Sequence, residues 1–192
     1  MFLSITNTAR PATDLGYLLH KNPANVHQTS LSFGEVHPFY PEASDERCTA
    51  VMLLSINPVE LVRGRADSGW APRRLEDYVN DRPYVASSFT SVAISRVFGT
   101  ALAGRSKDRP ELVAQPLPLE ARLPVVTVGG AADVLERLFA PLGYEVNAAP
   151  IALDEKFPEW GASRYASVTL KGVATLHDLL SHLYVLASRA GR

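Results

Sequence analysis

A long-range repeat constrains this chain more than any other feature. Phe157 to Leu170, FPEWGASRYASVTL, aligns without a gap on Tyr40 to Leu53, YPEASDERCTAVML, at an offset of 157 − 40 = 117 residues. Each copy opens on an aromatic residue followed by Pro and Glu, carries an Arg midway (Arg47 or Arg164), and closes on an alternating apolar run. Such alternation marks a half-buried strand. A chain that writes one strand pattern twice points to a duplicated architecture.

The elements around the two copies recur in the same order. FLSITNT alternates and is rich in strand formers. PATDLGYLLHKNP reads as a helix capped by Thr13 or Asp14, with Leu15, Leu18 and Leu19 on one face and Pro23 as its stop. VHQTSLSFGEVHPFY contains a strand, CTAVMLLSI is the most apolar strand of the first half, and Asn57-Pro58 opens a short helix carrying Val59, Leu61 and Val62. In the second half LPVVTV is a strand. GGAADVLERLFAPLG is a helix with Leu135, Leu138 and Phe139 together and Gly143 as its stop. YEVNAAPIAL and YASVTLKGV are strands, and TLHDLLSHLYVLAS is a helix striped by Leu176, Leu179, Leu180, Leu183 and Leu186. Each half reads β-α-β-β-α.

An insertion without a counterpart separates the halves. GRADSGWAPRRLEDYVNDRPY is polar and turn-rich, and VASSFTSVAISRVFGTALAG is helical, with Val85, Phe89, Val92, Ala93 and Ile94 apolar; the insertion covers roughly residues 64–104. In RSKDRPELVAQPLPLEARLP, Pro110, Pro116, Pro118 and Pro124 cannot all sit in one helix or central strand, so a connector is expected. The fold expected is α+β: two related units, 1–118 with the helical insertion and Pro-rich connector, and 119–192.

Composition narrows the function classes. The formal charge of −1 gives no global pull toward nucleic acid or membrane. No apolar run reaches the roughly 18 residues a bilayer span needs. A single cysteine, Cys48, precludes an internal disulfide and favours a reducing, cytoplasmic setting. His177 and His182 are five apart, about 140° around a helix, and so cannot share a metal as an i, i+4 pair does. VVTVGGAAD has a strand, two glycines and a helix start, but neither a Gly-x-Gly-x-x-Gly nor a Walker lysine. A small nucleotide-using enzyme built on Val128-Gly129-Gly130 is therefore the weakest reading. Cys48, at the head of an apolar strand, reads as a buried and inert thiol. The carboxylate pairs Asp45-Glu46 and Asp154-Glu155 read as solvated loop charges.

Surface charge says more. From Leu61 to Pro110 nine basic residues (Arg63, Arg65, Arg73, Arg74, Arg82, Arg96, Arg105, Lys107, Arg109) face five acids (Asp67, Glu76, Asp77, Asp81, Asp108), a local charge of 9 − 5 = +4. Trp70, Tyr78, Tyr84 and Phe89 are interleaved. Arginine with aromatic residues anchors protein interfaces and also holds nucleic-acid backbones and stacks bases.

The blocks PATDLGYLLHK, FYPEASDERCTA, YVNDRPYVASSF, FGTALAGR, RLFAPLGYEV and LDEKFPEWGASRY with LLSHLYVL carry a family resemblance in sequence order. The chain resembles the amino-terminal half of the bacterial 3′-terminal RNA ribose 2′-O-methyltransferase of the RNA-repair operon. That resemblance implies a non-enzymatic region that binds a polynucleotide kinase–phosphatase–ligase and switches on adenylylation of its ligase domain. It also implies that S-adenosylmethionine and a divalent metal belong to the carboxy-terminal methyltransferase half, which would follow ASRAGR, and that ATP is used by the partner ligase. No cofactor, metal or catalytic residue is expected in this chain itself. The expected partner contacts are exposed parts of the insertion and the loops beginning FYPE and FPEW: Arg73, Arg74, Arg82, Tyr84 and Trp160. The alternative is an RNA-binding module that presents the 3′ end to the methyltransferase half. No membrane partner is expected.

Overall fold

The computed structural model describes residues 1–57, 83–127 and 132–189. In chain order the elements are β1 (Phe2–Asn7), α1 (Asp14–Leu19), β2 (Thr29–Leu31), β3 (Gly34–Ala43), β4 (Cys48–Ile56), α2 (Pro83–Val97) and α3 (Gly99–Leu102). They continue with β5 (Leu117–Thr127), α4 (Ala132–Phe139), β6 (Glu145–Ala152), β7 (Ala162–Ala174) and α5 (Leu176–Arg189). Short 3-10 turns stand at Pro110–Leu112, Ala140–Leu142 and Pro158–Trp160. The strands form one seven-stranded sheet in the order β2-β3-β4-β1-β5-β7-β6, every neighbour antiparallel. The fold is α+β, and strands from both halves of the sequence share this sheet.

Side-chain alternation decides which face is covered. Leu3 and Ile5 of β1, Ala50, Met52 and Leu54 of β4, Leu119, Ala121 and Leu123 of β5, and Ala166, Val168 and Leu170 of β7 are all buried. They join one cluster with Leu15, Leu18 and Leu19 of α1, Ala93, Ile94 and Val97 of α2, Ala101 of α3, Leu135 and Phe139 of α4, and Leu176, Leu179, Leu180 and Leu183 of α5. The five helices of the described residues therefore pack on one face. Each fully buried leucine of α5 contributes about 2 kcal/mol of transfer free energy. The other face carries rows of polar residues, such as Thr49, Thr6, Glu120, Lys171 and Glu145 across β4, β1, β5, β7 and β6. In that row Lys171 pairs with Glu120 at 3.4 Å.

Two expectations change on inspection. Leu138 does not share the buried face of α4: it is 49% exposed, while Leu135 and Phe139 are each 4% exposed. Strand β5 begins at Leu117, inside the expected connector, so the strand expected at LPVVTV reaches back over six more residues and holds Pro118 as well as Pro124. Each avoids the missing-donor problem. Pro118 lies beyond the last β1 pair, Asn7 with Leu119, and Pro124 sits in the register shift between Leu123 and Val126.

The repeat is real, but its register is one residue from the gapless alignment. Ile5 pairs with Ala50 and Leu3 with Met52. Shifting by 168 − 50 = 118 gives Leu123 with Val168 and Ala121 with Leu170, which are also paired. The same shift carries Asp14, the start of α1, onto Ala132, the start of α4. At 117 Val51, on the polar face of β4, would match Val168 in the core. A one-residue slip turns every strand side chain to the wrong face. The motif that announced the repeat is not equivalent in structure either: Tyr40-Pro41-Glu42 lies within β3, whereas Phe157-Pro158-Glu159 leads into a 3-10 turn.

Candidate protein-interaction surface

The chemistry-bearing side chains of the core are held in structural roles. His177 Nδ1 bonds the Leu102 carbonyl at 2.8 Å, tying the start of α5 to the end of α3. His182 Nδ1 lies 2.9 Å from the Tyr144 hydroxyl, and the two rings meet edge-on. The Cys48 thiol is buried, and burial, reinforced by Glu42, pushes it up to about 11. A thiol so far above neutral pH is a poor nucleophile. Among the described residues no group of three or more His, Cys, Asp or Glu is placed to hold a metal ion. Also among them, no helix is long and apolar enough to cross a membrane. The Gly129-Gly130 turn lies outside the described residues, as does the short helix expected after Asn57.

Of the expected contact residues, Arg73, Arg74 and Arg82 also lie outside the described residues. Tyr84 falls within α2, but its side chain is outside them too. Trp160 is placed fully. It stands in the loop joining β6 and β7, which is closed at its base by the Leu153 N–H donating to the Gly161 carbonyl at 3.0 Å. Three further bonds set the loop's course: Lys156 N–H to Asp154 Oδ1 at 2.7 Å, Trp160 N–H to the Phe157 carbonyl at 3.0 Å, and Gly161 N–H to the Pro158 carbonyl at 3.0 Å. Gly161 has φ 80° and ψ −162°, a region essentially reserved to glycine, and this returns the chain to β7.

This framework holds two aromatic rings out toward solvent. The Phe157 and Trp160 rings stack with centroids 4.7 Å apart and planes 15° from parallel. Phe157 is 43% exposed, Trp160 57%, and Leu153 beside them 59%. The neighbouring charges are three acids, Asp154, Glu155 and Glu159, and two bases, Lys156 and Arg164. An acidic excess does not retain a polyanion. Exposed aromatics in a mixed-charge rim have the composition of a protein interface. The sequence flagged Trp160 through its motif; it missed Phe157 and Leu153 because their exposure depends on how the loop folds.

A family model for the RNA repair, ligase-Pnkp-associating, region of Hen1 matches residues 1–189. The chain belongs to that family. Two solved structures resemble this member of the ligase-Pnkp-associating family in fold, both of Pnkp1/Rnl/Hen1 complexes. One, an RNA repair complex, aligns with TM-score 0.62 at 16% identity over 100% of this chain and 43% of its own. The second aligns with TM-score 0.56 at 16% identity over 96% of this chain and 41% of its own. The chain thus spans less than half the length of either. No curated protein matches it.

Proposed function

We propose that this chain is a non-catalytic activating domain. It binds the ligase domain of a polynucleotide kinase–phosphatase–ligase and promotes adenylylation of that ligase during RNA repair. The observation that carries this reading is the Phe157–Trp160 stack: two exposed aromatic rings in a hydrogen-bonded loop, positioned before any partner arrives. Rigid aromatic anchors lose little conformational freedom on binding, which is why they dominate interface energetics. Membership of the ligase-Pnkp-associating family supports the choice of partner. Arg73, Arg74, Arg82 and Tyr84 supply further contacts from the insertion in this reading.

Activation requires more than attachment. A binding protein shifts its partner's equilibrium only by the difference in its affinity for the two states. The loop must therefore meet the ligase conformation that reacts with ATP better than it meets the other. In the whole protein, S-adenosylmethionine and metal-assisted methyl transfer belong to a carboxy-terminal half. The test mixes this chain with the partner and ATP and follows covalent AMP on the ligase lysine. A rise in adenylylation, lost on Trp160→Ala, is expected; no gain over the partner alone defeats the proposal.

A further inference from the structure

We propose that the corner where α1 meets residues 104–109 is a binding site for single-stranded RNA, taking the phosphodiester backbone on Lys21, Arg105 and Lys107 and a base on Tyr17. The site is separate from the aromatic loop and does not depend on the ligase reading.

The corner is assembled from parts distant in sequence. The Ser106 hydroxyl reaches the Tyr17 carbonyl at 3.5 Å, and the Lys107 N–H donates to His20 Nε2 at 3.4 Å. Two concavities flank this seam. One has Tyr17, His20, Lys21 and the carboxylate of Asp108 in its wall, the other Arg105, Ser106 and Lys107. Arg105 and Lys107 belong to the basic stretch of the sequence; Tyr17 and Lys21 come from the other end of the first unit.

Two observations point to a polyanion with bases. First, two of the three local acids are consumed, and the third, Asp108, faces three cations. Arg109 binds Glu111 at 2.5 Å and Asp14 at 3.4 Å, and these bonds hold its guanidinium 5.8 Å from the centre of the Tyr17 ring. Tyr17 remains 49% exposed beside that guanidinium. Aromatic rings and arginine planes are the surfaces on which unpaired RNA bases stack. Secondly, the three cations have no acidic partner among the described residues. Lys21 is the most telling, because partial burial lowers its pKa and no acid stands within ion-pair distance to offset the desolvation. A phosphate oxygen would supply the missing charge.

The experiment titrates a fluorescein-labelled single-stranded RNA with the full chain, by anisotropy across a salt series. Binding that weakens linearly in log–log form is expected. The triple variant Lys21→Glu, Arg105→Glu, Lys107→Glu should lower the slope by at least about 2, from about 0.7 per phosphate contact for single strands. Tyr17→Ala should weaken binding by about tenfold with the slope retained. Circular dichroism and association with the kinase–phosphatase–ligase should be unchanged in both variants. The proposal is overturned if the wild-type chain leaves RNA free at low salt, or if the triple variant binds as tightly as wild type. It is equally overturned if Tyr17→Ala has no effect, which means unspecific anion attraction. Loss of kinase–phosphatase–ligase association in the folded triple variant would mark the corner as a protein contact and also overturn it.

Discussion

Replacing Trp160 by alanine separates what the aromatic loop does for the fold from what it does for the partner. The indole leaves 57% of its surface exposed, and a tryptophan has at most about 250 Å² to bury, so a partner gains access to about 140 Å². At about 25 cal/mol per Å² this is worth about 3.5 kcal/mol. Ordering costs at the interface reduce it to about 2–3 kcal/mol, the range of an interface hot spot. Trp160→Ala should therefore weaken binding of the kinase–phosphatase–ligase by about 30- to 150-fold. Within the folded chain the change removes the stack on Phe157 and the burial of the remaining roughly 110 Å² of indole, about 2–3 kcal/mol together, and a fall in Tm of about 4–12 °C follows for a chain of this size. Trp160→Phe keeps a ring against Phe157 and should lose less affinity. Isothermal titration against the intact partner, with thermal denaturation of each variant alone, gives both numbers. A dissociation constant within about threefold of wild type, with the fold intact, refutes the anchoring role.

Other expectations bear on the scaffold. Leu53 and Leu54 are neighbours on opposite faces of β4, 40% and 2% exposed. Leu53→Asp should leave a folded chain, whereas Leu54→Asp should abolish cooperative unfolding by burying an unpaired carboxylate; equal tolerance would contradict the register. Gly34 has φ 152°, and an added Cβ would collide with the Ser55 carbonyl oxygen across the β3–β4 pair. Gly34→Ala should thus cost about 3 kcal/mol or more, read as a lower urea midpoint. At high pH two buried groups act together: Cys48 is raised from 9.0 to about 11 and Tyr144 from 10.0 to about 12. Both are neutral when folded and ionise more easily once unfolded. Their contribution is complete below pH 9 and is lost as pH climbs through 9 to 12, at about 2 kcal/mol each. Urea midpoints measured at pH 8 and pH 11 should converge in Cys48→Ala, Tyr144→Phe relative to wild type.

The strands were legible because alternation is written in the sequence: CTAVMLLSI coincides with Cys48–Ile56, and FLSITNT lacks only its last residue. The duplication was legible as an order of elements, β2 being an addition without a counterpart and the helix after Asn57 lying outside the described residues, but not as a register. Side chains alternate every residue, so an alignment guided by Pro and Glu can match two strands face to back. LPVVTV marks the second half of β5, but its first half, from Leu117, was hidden by the prolines. Nothing in LPLEARLP reveals that one proline overhangs a short neighbour and the other falls on a bulge, since both facts belong to pairing with distant strands. The candidate surface was half legible. FPEW drew attention to Trp160, but the stacked pair arises from a 3-10 turn closed by Gly161. The corner at Tyr17 and Lys21 was invisible, because it exists only where α1 meets residues some 85–90 positions later.

The duplicated scaffold is symmetric, but its two hairpin ends are not. Between β3 and β4 the turn is short and polar, sealed by the Ser44 N–H donating to the Arg47 carbonyl at 2.9 Å. Its counterpart between β6 and β7 is the longer aromatic loop. Asn7 pairs with both Cys48 and Leu119, so the short turn lies at the end of the sheet where β5 begins. Thr127 pairs with Tyr165, so the aromatic loop lies where β5 ends. The Ala12 N–H donates to the Asp45 carbonyl, placing the start of α1, and with it the basic corner, near the short turn. The length of β5, Leu117–Thr127, sets the two ends about 33 Å apart at about 3.3 Å per residue. That is well beyond a Debye length of about 8 Å at physiological salt, so the acidic excess of the loop does not offset the cations of the corner. A macromolecule on the loop leaves the corner open, so the two proposed contacts can be made at the same time.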